Sequence, residues 1–138
     1  MIGNLHAPTH RLEITRTEAG FVVIDDTFNS NPEGARAALS ALTAAVSGRR
    51  VVVTPGMFEL GPLQFEANLN WAREIVAAGA ELVITGYSNR RSLERGAADA
   101  GAAATWRRSR TAALAYLRPL LGGEDGVLWE NDLPDHYP

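Results

Sequence analysis

The chain has 138 residues, of which 46% are hydrophobic and 21% charged, with a formal net charge of −3 and no cysteine. That size and balance predict one globular domain spanning residues 1–138. They exclude disulfides, thiolate nucleophiles, zinc knuckles and iron–sulfur ligation, and they leave no basic field for gripping nucleic acid. All 13 side chains counted as Lys or Arg are arginine, so the chain supplies neither the lysine of a P-loop nor the amine of a Schiff base.

In chain order, His10 to Ile14 and Gly20 to Ile24 read as two short β-runs around a polar turn, an antiparallel hairpin. The second run meets Asp25 and Asp26 and leaves the core there. After Asn31, Pro32 suits a first helical position and Glu33 the positive end of the dipole. Ala35, Ala38, Leu39, Leu42 and Val46 then recur at helical spacing up to Gly48. Val51–Val53 is the next strand and empties into TPGMFELG. A helix is expected from about Phe65 to Ala78. Leu82–Ile84 leads into TGYSNRR and a helix from Ser92 to Ala100. A strand at Ala104–Trp106 follows, then a helix through Leu114 and Leu117, and a last strand from Gly126 to Trp129 runs into ENDLPDHYP.

Strands alternating with helices in this way predict βαβ units with right-handed crossovers. The expected fold is α/β: a three-layer, Rossmann-like, mainly parallel sheet with helices on both faces and the N-terminal hairpin at one edge. No apolar run approaches the ~20 residues that cross a bilayer, and the opening MIGNLHAPTHRLE has no apolar leader core. The expected location is therefore cytoplasmic, with no membrane partner.

In such a sheet the loops DDTFNSN, TPGMFELG, TGYSNRR and WENDLPDHYP share the carboxyl edge, where ligands bind. The first is the densest in chemistry. Asp26, Thr27, Asn29 and Asn31 offer hydrogen bonds to ribose hydroxyls and a purine edge, and Phe28 offers a face for stacking. Asn31 also suits an N-cap, but one cap explains one residue of the cluster. Glu59 suits a loop brace or a helix cap. Glu130, Asp132 and Asp135 read either as an amine or magnesium site or as a solvated end. His6, His10 and His136 are too scattered for a metal site, and Trp71, Trp106 and Trp129 read as packing residues.

Asp25-Asp26-Thr27-Phe28-Asn29-Ser30-Asn31-Pro32, an Ala-rich helix, and then a strand ending in Gly56-Met57-Phe58-Glu59-Leu60-Gly61 resemble the C-terminal domain of the Mur ligases. The likeness runs from about residue 9 to 121. It is strongest to the UDP-N-acetylmuramoyl-tripeptide:D-alanyl-D-alanine ligase branch, whose motifs are D-D-[ST]-Y-N-A-N-P and G-D-M-x-E-L-G. The resemblance implies an ATP-dependent amide ligase of peptidoglycan precursor synthesis that works through an acyl phosphate. Its P-loop, magnesium ligands and carbamylated lysine lie on a central domain that a chain without lysine does not contain. It implies partners as well: the N-terminal and central domains of a parent ligase, with nucleotide and amino-acid substrates between them.

Carried over by motif, Asp26, Phe28, Asn29 and Asn31 would contact ATP. Arg90, Glu59 and Asn68 would lie toward the incoming amino acid or dipeptide. The chain departs from the pattern at Pro55, where Gly-Asp-Met becomes Pro-Gly-Met, at Asn68, which replaces a histidine, and in its acidic ending. Two other readings are a free-standing, non-catalytic nucleotide-binding or interaction module of the same fold, and a nicotinamide oxidoreductase. The latter is disfavoured because no strand leads into G-x-G-x-x-G.

Overall fold

The computed structural model describes residues 12–26 and 31–131. Within them six strands make one sheet: β1 (Glu13–Arg16), β2 (Val22–Asp26), β3 (Arg50–Thr54), β4 (Glu81–Thr85), β5 (Thr105–Arg107) and β6 (Gly126–Glu130). Their spatial order is β1-β2-β6-β3-β4-β5. β1 runs antiparallel to β2, from Glu13 opposite Asp25 to Arg16 opposite Val22, and every other neighbouring pair is parallel. The helices are α1 (Pro32–Ala45), α2 (Gln64–Ala77), α3 (Arg90–Asp99) and α4 (Arg110–Leu117). The expected α/β architecture with an edge hairpin is present.

α1 starts where its cap chemistry places it. Asn31 is extended, its Oδ1 accepts the Gly34 N–H at 2.8 Å, and Pro32 takes the first helical turn. Ala35, Ala38, Leu39 and Leu42 are the buried stripe. The helix stops at Ala45, three residues before Gly48, because Val46 turns extended while its N–H still bonds Leu42 O. α2 begins at Gln64 after a short 3₁₀ turn over Gly61–Leu63. α3 starts at Arg90, two residues ahead of the expected Ser92.

Two apolar layers sandwich the sheet. On one face Ile24, Val52, Ile84 and Leu128 pack with Leu42 of α1, Ile75 of α2 and Leu93 of α3. On the other, Val51, Val53, Val83, Val127 and Trp129 pack with Ala113 and Leu117 of α4. Complete burial of a side chain such as Leu42 or Ile75 contributes about 1.5–3 kcal/mol. α2 and α3 meet closely because Gly96 has no side chain: a Cβ there would overlap Leu69 O.

β2 runs further than the sequence suggested. It continues through Asp25 and Asp26, and the alternation of buried Val22, Ile24 and Asp26 persists to its end. Pairing with β6 extends the ladder, since Asp26 lies opposite Glu130, and a formed ladder overrides the weak strand preference of aspartate.

Candidate functional site

Because β2, β3, β4, β5 and β6 are parallel, the residues that follow all five emerge on one rim. Asp26, Thr54, Thr85, Arg107 and Glu130 are the last strand residues there. β6, the last strand in the chain, lies between β2 and β3, so the Asp25–Asp26 end and the Pro55-Gly56-Met57 turn flank Glu130 from its two sides. The strand ends of β2, β3, β4 and β6 share the carboxyl rim as expected, and Thr27, Asp132 and Asp135 of the first and last loops lie outside the described residues. Phe28 and Asn29 lie outside the described residues.

The Pro55-Gly56-Met57 turn is fixed from three directions. Thr54 Oγ1 donates to Glu130 Oε1 at 2.6 Å and accepts the Gly56 N–H at 2.9 Å. From the end of β6, Asn131 Nδ2 donates to Gly56 O at 2.7 Å, while the Asn131 N–H bonds Asp26 O at 3.0 Å. From α2, Asn68 Oδ1 accepts the Met57 N–H at 2.8 Å, and its Nδ2 reaches Met57 O and Gln64 O, each at 3.0 Å. From the turn before α3, Asn89 Nδ2 donates to Pro55 O at 3.0 Å and Met57 O at 3.2 Å, while its Oδ1 accepts from Gln64 Nε2 at 2.9 Å. A buried turn needs such partners, because an unpaired main-chain group in a dry site costs about 1–3 kcal/mol. Asp26, Thr54, Asn68, Asn89, Glu130 and Asn131 are all buried.

Gly56 makes this turn possible. Its φ of +88° lies where side-chain-bearing residues rarely go, and a Cβ would sit 2.7 Å from Asn89 Nδ2 and 2.8 Å from Asn68 Oδ1.

The residues singled out in the sequence are placed as follows. Asp26 is buried in β2 and Asn31 caps α1 at the same rim. Asp25 faces the other way, with its carboxylate 3.7 Å from Arg110 Nη2. Glu59 is exposed with a left-handed φ of 64°. Arg90 bonds Glu94 at 2.9 Å and lies 4.4 Å from the centre of the Trp106 ring. Trp106 is in turn 5.2 Å from Tyr87 and donates its Nε1–H to Gly86 O. Beside this stack a shallow cavity of about 430 Å³ is lined by Gln64, Phe65, Tyr87, Ser88 and Arg91 among others. Asn68, expected at the substrate, is 0% exposed and its amide is engaged on Met57 and Gln64.

Thr54, Gln64, Asn89 and Asn131 were not singled out by the sequence. Each is an ordinary polar residue near a strand or helix end, and only the sheet order brings all four to one turn. Among the described residues no group of three His, Asp or Glu side chains is placed to hold a metal ion, and no helix is long and apolar enough to cross a membrane.

Residues 10–130 match the family model described as Mur ligase, glutamate ligase domain, and the chain belongs to that family as a C-terminal Mur ligase domain. Two crystal structures of MurF from Acinetobacter baumannii superpose with TM-scores of 0.74, at 24% and 22% identity over 91% and 94% of this chain. This chain spans 28% of each of those MurF chains. A domain described as belonging to a UDP-N-acetylmuramate:L-alanyl-gamma-D-glutamyl-meso-diaminopimelate ligase from Haemophilus ducreyi matches at a TM-score of 0.59 and 17% identity, covering 88% of both chains. At these identities the structural matches carry the fold. No curated protein sequence matches.

Proposed function

We propose that the chain is the C-terminal domain of an ATP-dependent amide ligase acting in peptidoglycan precursor synthesis in the cytoplasm, and that residues 1–138 form one domain of a longer protein. The observation that carries this reading is the family match over residues 10–130, supported by a rim on which Asp26 of one motif and the Gly56-Met57 turn of the other flank β6. In this reading the DDTFNSNP segment is one lip of a nucleotide cleft. Asp26, Phe28, Asn29 and Asn31 face ATP, and the amino end of the 14-residue α1 adds a favourable dipole for anionic groups. Arg90 and Glu59 lie toward the incoming amino acid or dipeptide, and Asn68 serves by holding the Met57 turn. The acceptor is D-alanyl-D-alanine or a related amine.

In this reading magnesium and the phosphoryl chemistry are assigned to the central domain of the parent, as the family resemblance implies. The work of this domain is to bind, to orient and, on closing, to exclude water from the acyl phosphate.

Two measurements test the reading. The isolated chain should fold, show no ATPase activity and bind ATP weakly; submicromolar affinity for ATP would contradict it. In the full reading frame, assayed with a nucleotide-linked muramoyl peptide and D-alanyl-D-alanine, Asn29→Ala should raise KM for ATP about tenfold with a smaller change in kcat, as expected for lost ground-state binding. A native product no longer than this chain, without ligase activity, would favour the free-standing nucleotide-binding or interaction module.

A further inference from the structure

The exposed apolar side chains of the molecule are unevenly spread. Among the described residues five large ones are exposed, and three of them share one corner of the carboxyl rim. They are Leu63 at 67%, Phe65 at 50% and Tyr87 at 63%, in the 3₁₀ turn, the first turn of α2 and the turn before α3. Phe65 and Tyr87 both line the shallow cavity of about 430 Å³, a volume within the ~300–1,000 Å³ of small-molecule sites. A singly exposed apolar residue is ordinary. Two open aromatic side chains on one cavity are surface that a ligand can take out of water.

The walls of this cleft are held in place. Tyr87 lies 5.2 Å from Trp106, which donates to Gly86 O, and Phe65 follows Gln64, whose Nε2 donates to Asn89 Oδ1 at 2.9 Å. A ligand that meets ordered walls loses little entropy in ordering them. The charge of the lining is of one sign. Arg91 is its one charged residue, is exposed, and takes part in none of the ion pairs among the described residues. Its neighbour Arg90 is spent on Glu94 and the Trp106 ring. The start of α3 adds the same sign, because Asn89 at the N-cap position gives its amide to Pro55 and Met57 and leaves the first turn without a side-chain cap. Two aromatic side chains beside one uncompensated cation suit an apolar group with an anion a few bonds away, which is the chemistry of an amino-acid side chain and its carboxylate. They offer more apolar surface than a methyl group covers.

We propose that this cleft seats the C-terminal residue of a short peptide, with Arg91 on its carboxylate and Phe65 and Tyr87 on its side chain, and that it selects an apolar side chain larger than a methyl. Taken with the proposed function, that residue is the C-terminal one of the acceptor. This last assignment rests on the ligase reading, whereas the binding chemistry of the cleft does not.

The test is a titration of the whole chain by two-dimensional NMR, with the Tyr87, Ser88 and Arg91 amides and the Trp106 indole as reporters. The probes are racemic N-acetyl-leucine, N-acetyl-alanine and N-acetyl-leucinamide. N-acetyl-leucine should shift these signals saturably and bind about tenfold tighter than either of the others. Arg91→Gln should remove the difference between acid and amide, and Phe65→Ala the difference between leucine and alanine; both positions are exposed, so the core is left intact. No saturable shift, shifts that map elsewhere, or equal binding of acid and amide or of leucine and alanine overturns the proposal. So does saturable binding of AMP at these signals without binding of N-acetyl-leucine, which would assign the cleft to a nucleotide. In the full reading frame, D-alanyl-D-leucine should show a KM about tenfold below that of D-alanyl-D-alanine, with the gap lost in Phe65→Ala. Ligase activity that prefers D-alanyl-D-alanine in parent and variant alike overturns the inference and leaves the proposed function standing. Binding of N-acetyl-leucine by the chain, with no ligase activity in the full frame, keeps the cleft and removes the ligase reading.

Discussion

At the amino rim of the sheet Arg49, Glu81 and Asp125 meet in charged hydrogen bonds open to water, whereas at the carboxyl rim Thr54, Asn68, Asn89, Asn131 and Glu130 bond turns together in the dry interior. Both rims must close gaps between parallel strands. The amino rim does so with flexible, solvated groups that tolerate displacement. At the carboxyl rim three asparagines, neutral and able to donate and accept at once, satisfy main-chain groups beside the buried carboxyl groups of Asp26 and Glu130. The difference teaches where the molecule is rigid. The carboxyl rim is built from short bonds among buried amides, and the amino rim from charged groups that face water.

The largest effect that would break this comparison is expected at Gly56. Gly56→Ala forces a side chain into a left-handed backbone and against Asn68 and Asn89. The expected loss is about 3 kcal/mol, combining backbone strain with overpacking. Urea unfolding monitored by circular dichroism measures it. A loss below about 1 kcal/mol would mean that the turn yields easily and that the carboxyl rim is no more rigid than the amino rim.

Much of this rim was legible before the structure. The run of polar residues after Ile24, Pro32 at a helix start and the Gly56-Met57 motif after a valine strand each rest on local chemistry, and the Asn31 cap is where local chemistry puts it. What the sequence did not show depends on strand order. Nothing local tells that β6 slips between β2 and β3, yet that insertion sets Glu130 beside Thr54 and carries Asn131 to Gly56 O. Asn68 shows the same limit: nothing local tells that helix phase turns its amide onto the main chain of Met57.

A smaller effect sharpens the comparison from the amino rim. Asp125 accepts the Gly122 N–H at 2.8 Å and the Arg49 N–H at 2.7 Å. These bonds, Gly122 first and Arg49 second, hold its carboxyl below the ordinary carboxylate range. A folded-state value below the unfolded one means that the ionised form stabilises the fold. The contribution is complete above the unfolded value of about 3.9 and is lost as pH falls through the lower folded value. Asp125→Ala should cost about 1 kcal/mol at pH 7, discounted for exposure. The gap from the parent should close as pH falls below the ordinary carboxylate range, in thermal unfolding run from pH 7 to pH 2. A gap that stays constant across that range would show that packing, and not the two bonds to the carboxylate, is what the substitution removes.

The smallest effect belongs to the ion pair between Arg49 and Glu81, whose two hydrogen bonds are each 2.8 Å. The guanidinium and carboxylate remain 41% and 48% exposed, so water screens the attraction and the side chains lose rotamer freedom to make it. A double-mutant cycle with Arg49→Gln and Glu81→Gln should return a coupling of only about 0.5 kcal/mol, fading in 1 M salt. Its bond to Glu81 is the main cause raising the Arg49 pKa above its ordinary value. The sign follows: a raised folded-state value gives stabilisation that is present below the unfolded value and lost only as pH rises through the higher one, in strong alkali. Between pH 5 and 9 the coupling should therefore be flat with pH, in contrast to the acid-side loss at Asp125. A coupling above about 2 kcal/mol, beyond the range of exposed pairs, would mean that the amino rim is held as tightly as the carboxyl rim, and the contrast between them would then rest on solvent exposure alone.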